Sequence, residues 1–465
     1  DDHGCKSSSY PGQSEFAFVD MHMPILTPSN IQEVLDYGLY GFELSRFSGC
    51  WVAMITLTEN MDSAATVEVD PDRVQVSHPA DVEIPEGGLN IRLPDTPLAQ
   101  EERLWRYKRP AALAFCRENR LNRVVLDTPI ARLGIVTAGK AHLDLMQALD
   151  EMNIDEARAQ QLGVRILKVG MTYPLDVEGI REFARGLEFL FVVEEKRSLM
   201  EVQLKEELYN VEVVDPHFPK IIGKLDSKNN PLLPAFGELT PGIIIDVLKR
   251  ALPEWRGEPG DGTHAVVPRD SLKDGLQNNI RSVRTPFFCS GCPHNTSTRV
   301  PDGSRALAGI GCHYLVQGMQ RETQTFTQMG GEGASWIGQS HFTDTPHVFV
   351  NLGDGTYFHS GVLAIRAAVA AGVNITYKIL FNGAVAMTGG QPHDGDLQPE
   401  MIVAQVQAEG VERVVWVMDD PGKYRGERSL PRDVEVRHRD DLDAVQRELR
   451  EVKGVTCILY DQACA

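Results

Sequence analysis

Four things are scarce or missing in this sequence, and each absence narrows the field. Cysteine is one: eight in 465 residues are too sparse for a disulfide-stapled scaffold. Positive charge is another, with 46 Lys and Arg against 65 Asp and Glu and a net charge of −19. A chain with a pI near 5.2 repels phosphate backbones, so nucleic acid is not an expected partner. Long apolar runs are missing too. The best candidate, GVLAIRAAVAAG at 361–372, carries Arg366 in its middle and falls short of the roughly 18 residues of a membrane helix; no membrane span and a cytoplasmic location are expected. Finally, the chain opens DDHGCKSSSY, without an initiator Met or the apolar core of a signal peptide, and reads as a piece of a longer protein.

What is present is ordinary globular composition, 42% hydrophobic and 24% charged, with length for about three domains of ~150 residues. Apolar runs at 16–26 and 49–57 precede a Pro/Asp/Gly-rich passage at 70–97, predicted to be irregular. QEERLWRYKRPAALAFCREN follows and predicts a linking helix, or a pair broken at Pro110. From Arg123 onward β-branched runs such as RLGIVTAG, GVRILKVG and LEFLFVVEE alternate with helical patterns such as HLDLMQALDEM, which predicts a parallel sheet covered on both faces. Residues 252–270 read as a Pro/Gly/Asp-rich linker. Beyond 285 come HVFVNLGDG, GVLAIRAAVAAG, ITYKILF, VERVVWVMDD and VTCILYDQ, a second α/β pattern. The expected boundaries are 1–92, a linker at 93–122, 123–225, a linker at 226–284, and 285–465.

The sharpest motif is Gly353-Asp354-Gly355, placed between a predicted strand and a predicted helix, with 26 residues separating Gly355 from Asn382 at the end of the next strand. In a parallel sheet both positions fall at carboxyl ends of strands, where open α/β sheets bind ligands. The glycines admit a diphosphate close to the backbone, and Asp354 with the Asn382 amide oxygen offers hard oxygen ligands to Mg²⁺. An isolated Gly-Asp-Gly is usually a plain turn; the strand context, the Asn spacing and Thr388-Gly389-Gly390 favour the diphosphate site. Gly330-Gly331-Glu332-Gly333 reads equally as a second backbone cradle or as a loop.

Three cysteines fall close together, Cys289-Ser290-Gly291-Cys292 and Cys312. C-x₂-C plus a lone third Cys fits an iron–sulfur cluster that takes one remote thiolate; zinc completed by His294 or His313 is the alternative. Cys457 lies within an apolar strand and is expected in the core, whereas Cys464 follows that strand and suits a ligand better. Cys5, Cys50 and Cys116 have no partner spacing. His294 and His313 are candidates to bond cofactor or substrate, or simply to orient their loop.

The Gly-Asp-Gly/Asn arrangement resembles the thiamine diphosphate signature, whose third protein ligand to magnesium is a main-chain carbonyl falling here on Ala384. More widely, FFCSGCPHNTSTRVPDGSRALAGIGCHY, TQMGGEGASWIGQ, NLGDGTYFHSGVLAIRAAVAAGVNITYKILFNGAVAMTGGQ and YDQACA resemble the indolepyruvate ferredoxin oxidoreductases of the single-chain fused type. DDHGCKSSS and VVEEKRSLMEVQLKEELYN resemble the earlier domains of that family. The resemblance implies an α/β multidomain thiamine diphosphate fold of parallel sheets flanked by helices, with 1–92 as the end of a pyrimidine-binding domain, 123–225 as a transketolase C-terminal-like domain and 285–465 as the diphosphate-binding domain. It implies conversion of an arylpyruvate, CoA and oxidised ferredoxin to acyl-CoA, CO₂ and reduced ferredoxin. Cofactors would be thiamine diphosphate, Mg²⁺ and a [4Fe–4S] cluster held by Cys289, Cys292, Cys312 and Cys464. Asp354, Asn382 and Ala384 would hold magnesium, and Gly353, Gly355, Thr356, Thr388 and Gly389 would complete the cofactor site.

Departures from the family are informative. Met387 stands where the pyruvate enzymes place Asn, which suits a bulkier apolar substrate, and Asn382-Gly383 stands where Asn-Asp is expected. The Glu that activates the cofactor's aminopyrimidine lies upstream of the DDHG segment in these enzymes, and a γ-type domain follows them, so these regions are expected partners of this chain in a homo-oligomeric enzyme. Two other readings stay open: a non-redox thiamine decarboxylase or synthase with structural zinc, and a non-catalytic assembly subunit.

Overall fold

Three sheets carry the fold, in a computed structural model that describes residues 1–6, 11–214, 218–255, 286–422 and 434–465. The chain divides into two units, Asp1–Asn279 and Ile280–Ala465. The part of the expected linker beyond Trp255 lies outside the described residues.

The strands of the first unit are β1 (Ile25–Leu26), β2 (Ala53–Met54), β3 (Arg123–Leu126), β4 (Leu133–Ala138), β5 (Val164–Val169), β6 (Met171–Tyr173), β7 (Phe189–Val193) and β8 (Lys220–Ile222). A small sheet has the order β2-β1-β6, and a five-stranded sheet the order β3-β5-β4-β7-β8. β1 and β2 pair in parallel because the 18-residue helix Ile31–Ser48 spans the return. That helix starts where the Asn30 side chain accepts the Glu33 N–H and Glu33 in turn accepts the Ser29 N–H. It ends at Gly49, φ +71°, where a Cβ would lie 2.2 Å from the Leu89 carbonyl oxygen, so glycine is required.

β4, β5, β7 and β8 are parallel, as their crossovers require. β3 departs from the expected parallel sheet: it runs antiparallel to β5. Only residues 127–132 join β3 to β4, too few for a parallel crossover of a dozen or more residues. Alternate residues of β4 feed opposite cores, Leu133 and Ile135 on one face, Val136 and Ala138 on the other, so both faces are covered. The helix Pro241–Trp255 falls within the stretch expected to link the domains, yet its Ile244, Val247 and Leu248 belong to the first of these cores.

No regular element occupies the Pro/Asp/Gly-rich passage at 70–97 before the helix that begins at Pro97. The expected break at Pro110 does not occur. A π turn, Leu104–Lys108, leads directly into the helix Arg109–Glu118, and Pro110 sits in its opening turn, where a missing N–H costs little.

The second unit holds β9 (Ala306–Ala308), β10 (Thr323–Phe326), β11 (Val348–Gly353), β12 (Ile375–Phe381), β13 (Arg413–Met418), β14 (Glu435–His438) and β15 (Val455–Asp461). They form one seven-stranded sheet, ordered β10-β9-β11-β12-β15-β13-β14, with every pairing parallel. Along β15, Val455, Cys457 and Leu459 enter the core on one face while Ile458 and Tyr460 enter that on the other. This is the α/β architecture of parallel sheets flanked by helices that the alternating pattern predicts. Among the described residues no helix is long and apolar enough to cross a membrane.

Candidate functional site

In the second unit the chain leaves β9 toward β10 on one side and leaves β11 toward β12 on the other. Connections that diverge in this way open a crevice at the carboxyl ends of the two strands, the common ligand position in open α/β sheets. The loop after β9 carries Cys312 and His313. A helical run that begins at Asp354 and continues to Ala371 follows β11, so its N–H groups face the same edge.

Asp354 is 2% exposed. Its Oδ2 accepts the backbone N–H groups of Asn382 at 2.9 Å and Gly383 at 2.8 Å, and Oδ1 accepts that of Gly355 at 2.8 Å. Burial pushes the carboxyl up, against these three donors and the nearby His393. The Asn382 Oδ1 accepts the Ala384 N–H at 3.0 Å, and the Thr356 hydroxyl donates to the Ile310 carbonyl at 3.4 Å. The predicted pair of oxygen donors is thus brought together on adjacent strand ends. Two carboxylate oxygens offer about four lone pairs, of which three are used, and the Asn382 amide oxygen also keeps one; the donor set fits a hard dication. Thr388 and Gly389 lie on an exposed turn whose bonds are local, Gln391 Nε2 to Thr388 Oγ1 at 2.8 Å.

The four candidate cluster thiols also converge. Burial raises the Cys292 thiol, with Cys464 and Cys289 adding to it; burial raises Cys312, with Cys292, Cys464 and Cys289 adding. A Cβ on Gly291 would lie 3.6 Å from Ala465 Cβ, placing the C-x₂-C turn beside the segment that carries Cys464. Cys457, by contrast, is 1% exposed in the core, and burial alone raises its thiol. Among the described residues, the candidate ligand atoms found mutually within 4.8 Å in a group of three or more are those of Asp1, His3 and Glu15. One hydrogen bond joins the two candidate centres: the Cys464 N–H donates to the Asn382 carbonyl at 3.2 Å.

His294 and His313 are both buried, with ring centroids 6.1 Å apart. Burial holds His294 down to about 4, and burial with His294 beside it holds His313 down to about 3, so both imidazoles are neutral. His294 Nδ1 meets Ser297 Oγ at 3.3 Å, whereas His313 Nε2 is buried without a partner. A Cβ on Gly353 would approach His313 Cε1 to 3.4 Å, so His313 abuts the Gly-Asp-Gly loop.

Pattern reading missed the part played by Glu332. It is fully buried, and its Oε2 accepts the Gly330 N–H at 2.7 Å. Its Oε1 has no partner, and burial pushes the carboxyl up. The Gly330–Gly333 segment therefore wraps one of its own carboxylates; the signal was an acid among three glycines.

Comparison with known proteins follows the same lines. Residues 123–267 match the indolepyruvate oxidoreductase domain family, and residues 309–420 match the C-terminal TPP-binding domain of thiamine pyrophosphate enzymes. The indolepyruvate oxidoreductase subunit IorA of Methanothermobacter marburgensis is 29% identical over 387 residues, 80% of this chain and 57% of that protein. IorA of Methanothermobacter thermautotrophicus is 29% identical over 416 residues, 85% of this chain and 62% of that protein. The chain thus spans about three fifths of the length of these relatives. A solved 2-oxoglutarate:ferredoxin oxidoreductase from Magnetococcus marinus, with 2-oxoglutarate, coenzyme A and succinyl-CoA bound, aligns with 39% of this chain and 66% of its own at 19% identity and a TM-score of 0.30. That likeness is too low to bear on the site. The chain joins a match to the indolepyruvate oxidoreductase domain with a match to the thiamine-pyrophosphate-binding domain, and over most of its length it is similar to the IorA subunits of indolepyruvate oxidoreductases.

Proposed function

We propose that this chain is part of a cytoplasmic 2-oxoacid:ferredoxin oxidoreductase that converts an arylpyruvate such as indole-3-pyruvate, CoA and two oxidised ferredoxins to acyl-CoA, CO₂ and two reduced ferredoxins. The observation that carries this reading is the hydrogen bond from the Cys464 N–H to the Asn382 carbonyl, which joins the segment of a proposed cluster thiol to that of a proposed magnesium ligand. Bound thiamine diphosphate supplies an electron sink at the keto carbon, and a [4Fe–4S] cluster supplies one-electron transfer.

In this reading Asp354, Asn382 and the Ala384 carbonyl hold Mg²⁺, while Gly353, Gly355 and the helical run from Asp354 present backbone to the diphosphate. Neutral His313 offers Nε2 to a substrate or phosphate oxygen. Cys289, Cys292, Cys312 and Cys464 hold the cluster, the C-x₂-C pair with a lone third Cys and a remote fourth thiolate favouring it over zinc. Met387, 48% exposed on the turn after Asn382, favours an apolar side chain on the substrate. Residues 1–92 act as the end of a pyrimidine-binding domain, and the remaining length of the relatives supplies the aminopyrimidine-activating Glu and the γ-type region.

The test is anaerobic purification of the complete enzyme, followed by metal analysis and viologen assay. Iron and acid-labile sulfide in equal amounts, with viologen reduction that requires both indolepyruvate and CoA, are expected. A colourless protein with stoichiometric zinc overturns the redox reading, and a cluster-loaded enzyme inert to arylpyruvates overturns the substrate.

A further inference from the structure

The first unit has a divergence point of its own. β4 leads to β5 on one side and β7 to β8 on the other, and a cavity lies at their carboxyl ends, lined by Lys140, Glu194, Glu195, His3 and Glu15 among others. His3 is 4% exposed, and neither ring nitrogen has a hydrogen-bond partner. The Glu195 carboxylate stands 3.9 Å from His3 Nδ1, beyond hydrogen-bonding reach. Glu15 Oε2 is also buried without a partner. Each such group destabilises the fold unless something satisfies it.

One occupant would satisfy both. A ligand atom from each of Asp1, His3 and Glu15 lies within 4.8 Å of the other two. Asp1 is already oriented, its Oδ2 accepting the Ser14 N–H at 3.1 Å and the Ser14 hydroxyl at 3.0 Å. Lys140 on the cavity wall donates to Asp144 at 2.6 Å and to the Leu239 carbonyl at 2.7 Å and faces Glu195 at 3.5 Å; Lys196 and the Asp1 ammonium also act on His3. Glu194 and Glu195 line the same wall, where burial pushes both carboxyls up, Glu195 to about 7. The cavity has about 40 Å³ of room, enough for roughly three waters at about 10–15 Å³ each.

We propose that Asp1, His3 and Glu15 form a binding site for a divalent transition-metal cation. One imidazole and two carboxylates select the Mn²⁺, Fe²⁺ and Zn²⁺ class over Ca²⁺, which takes six to eight oxygens. Waters in the cavity complete the coordination. The ion clamps the Asp1–His3 segment onto the helix Glu15–Asp20. The ligands proposed at Asp354 and Asn382 include no imidazole, so a nitrogen signature separates the two sites.

The test uses Mn²⁺ as the probe, which thiolates hold weakly, on the full-length protein. Pulsed electron paramagnetic resonance of the Mn²⁺-loaded protein is expected to show ¹⁴N coupling from an imidazole. That coupling disappears in His3→Gln, with one fewer Mn²⁺ bound per chain, while Glu15→Gln weakens this site by at least the roughly 10–100-fold known for outer-sphere lesions. Circular dichroism verifies the fold of each variant, and the nearly isosteric Glu15→Gln serves if His3→Gln does not fold. No ¹⁴N coupling at saturating Mn²⁺, coupling that survives His3→Gln, or unchanged affinity in Glu15→Gln overturns the proposal.

Discussion

Asp354 Oδ2 accepts the backbone N–H of Asn382 at 2.9 Å, across the carboxyl ends of two adjacent parallel strands. The carboxylate thus fixes the shape of the loop that carries its proposed co-ligand, with no ion needed. Asp354→Asn turns an amide N–H₂ toward backbone N–H donors. We expect a loss of about 1–3 kcal/mol without cofactor, and thiamine diphosphate binding with Mg²⁺ weakened about a hundredfold. Thermal melts and calorimetric titration read the two effects separately.

The two cysteines of the last segment should behave in opposite ways. Cys464→Ser is expected to abolish iron loading with little change in the melting temperature of the metal-free protein, because the residue is exposed. Cys457→Ser places a hydroxyl in the core and should cost about 1–3 kcal/mol while iron content stays intact. Full iron in Cys464→Ser with loss in Cys457→Ser would reverse the assignment.

His347 offers a pH test. Burial, helped by Arg450, holds it down to about 4 from 6.5, and its Nε2 meets Thr376 Oγ1 at 2.7 Å. The unfolded chain takes up this proton as pH falls through 6.5, while the folded chain resists until about 4. Its stabilisation is therefore complete above 6.5 and is lost progressively below it, about 3 kcal/mol in all. Urea unfolding of wild type and His347→Gln should diverge between these pH values, with the variant showing the shallower decline.

Gly333 has φ +82°, and a Cβ there would stand 2.6 Å from the Tyr377 hydroxyl. Gly333→Ala should cost about 1–3 kcal/mol and displace that hydroxyl from the Glu332 and Ala364 carbonyls, at 3.1 and 3.2 Å. Gly338, with open space around its Cβ position in the helix Ala334–Gln339, is the control. Gly338→Ala is expected to stabilise by up to about 1 kcal/mol. Equal thermal shifts for the two would sink the steric account.

The legible parts of this protein are those whose information is local. Gly353, Asp354 and Asn382 could be placed on strand ends because strand periodicity and motif spacing both lie within a short stretch of chain. Cys289 and Cys292 announce themselves by separation alone. The burial of Cys457 and the exposure of Cys464 could be told apart because one lies inside an apolar strand and the other follows it. The direction of β3 was not legible: RVVL reads the same either way, and only its pairing with β5 decides. Nor was the burial of Glu332 or His3, because each is enclosed by groups distant in sequence, and a polar letter does not reveal whether water reaches it. Pro110 misled because its meaning depends on whether it opens a helix or interrupts one.

The Cys464–Asn382 hydrogen bond has one more consequence. If the thiols hold a cluster and the loop a diphosphate, as proposed, that single peptide contact sets their separation when the second unit folds. On the proposed reading, the internal electron step should be insensitive to solvent viscosity, leaving viscosity to act on the arrival of substrate and the departure of reduced ferredoxin.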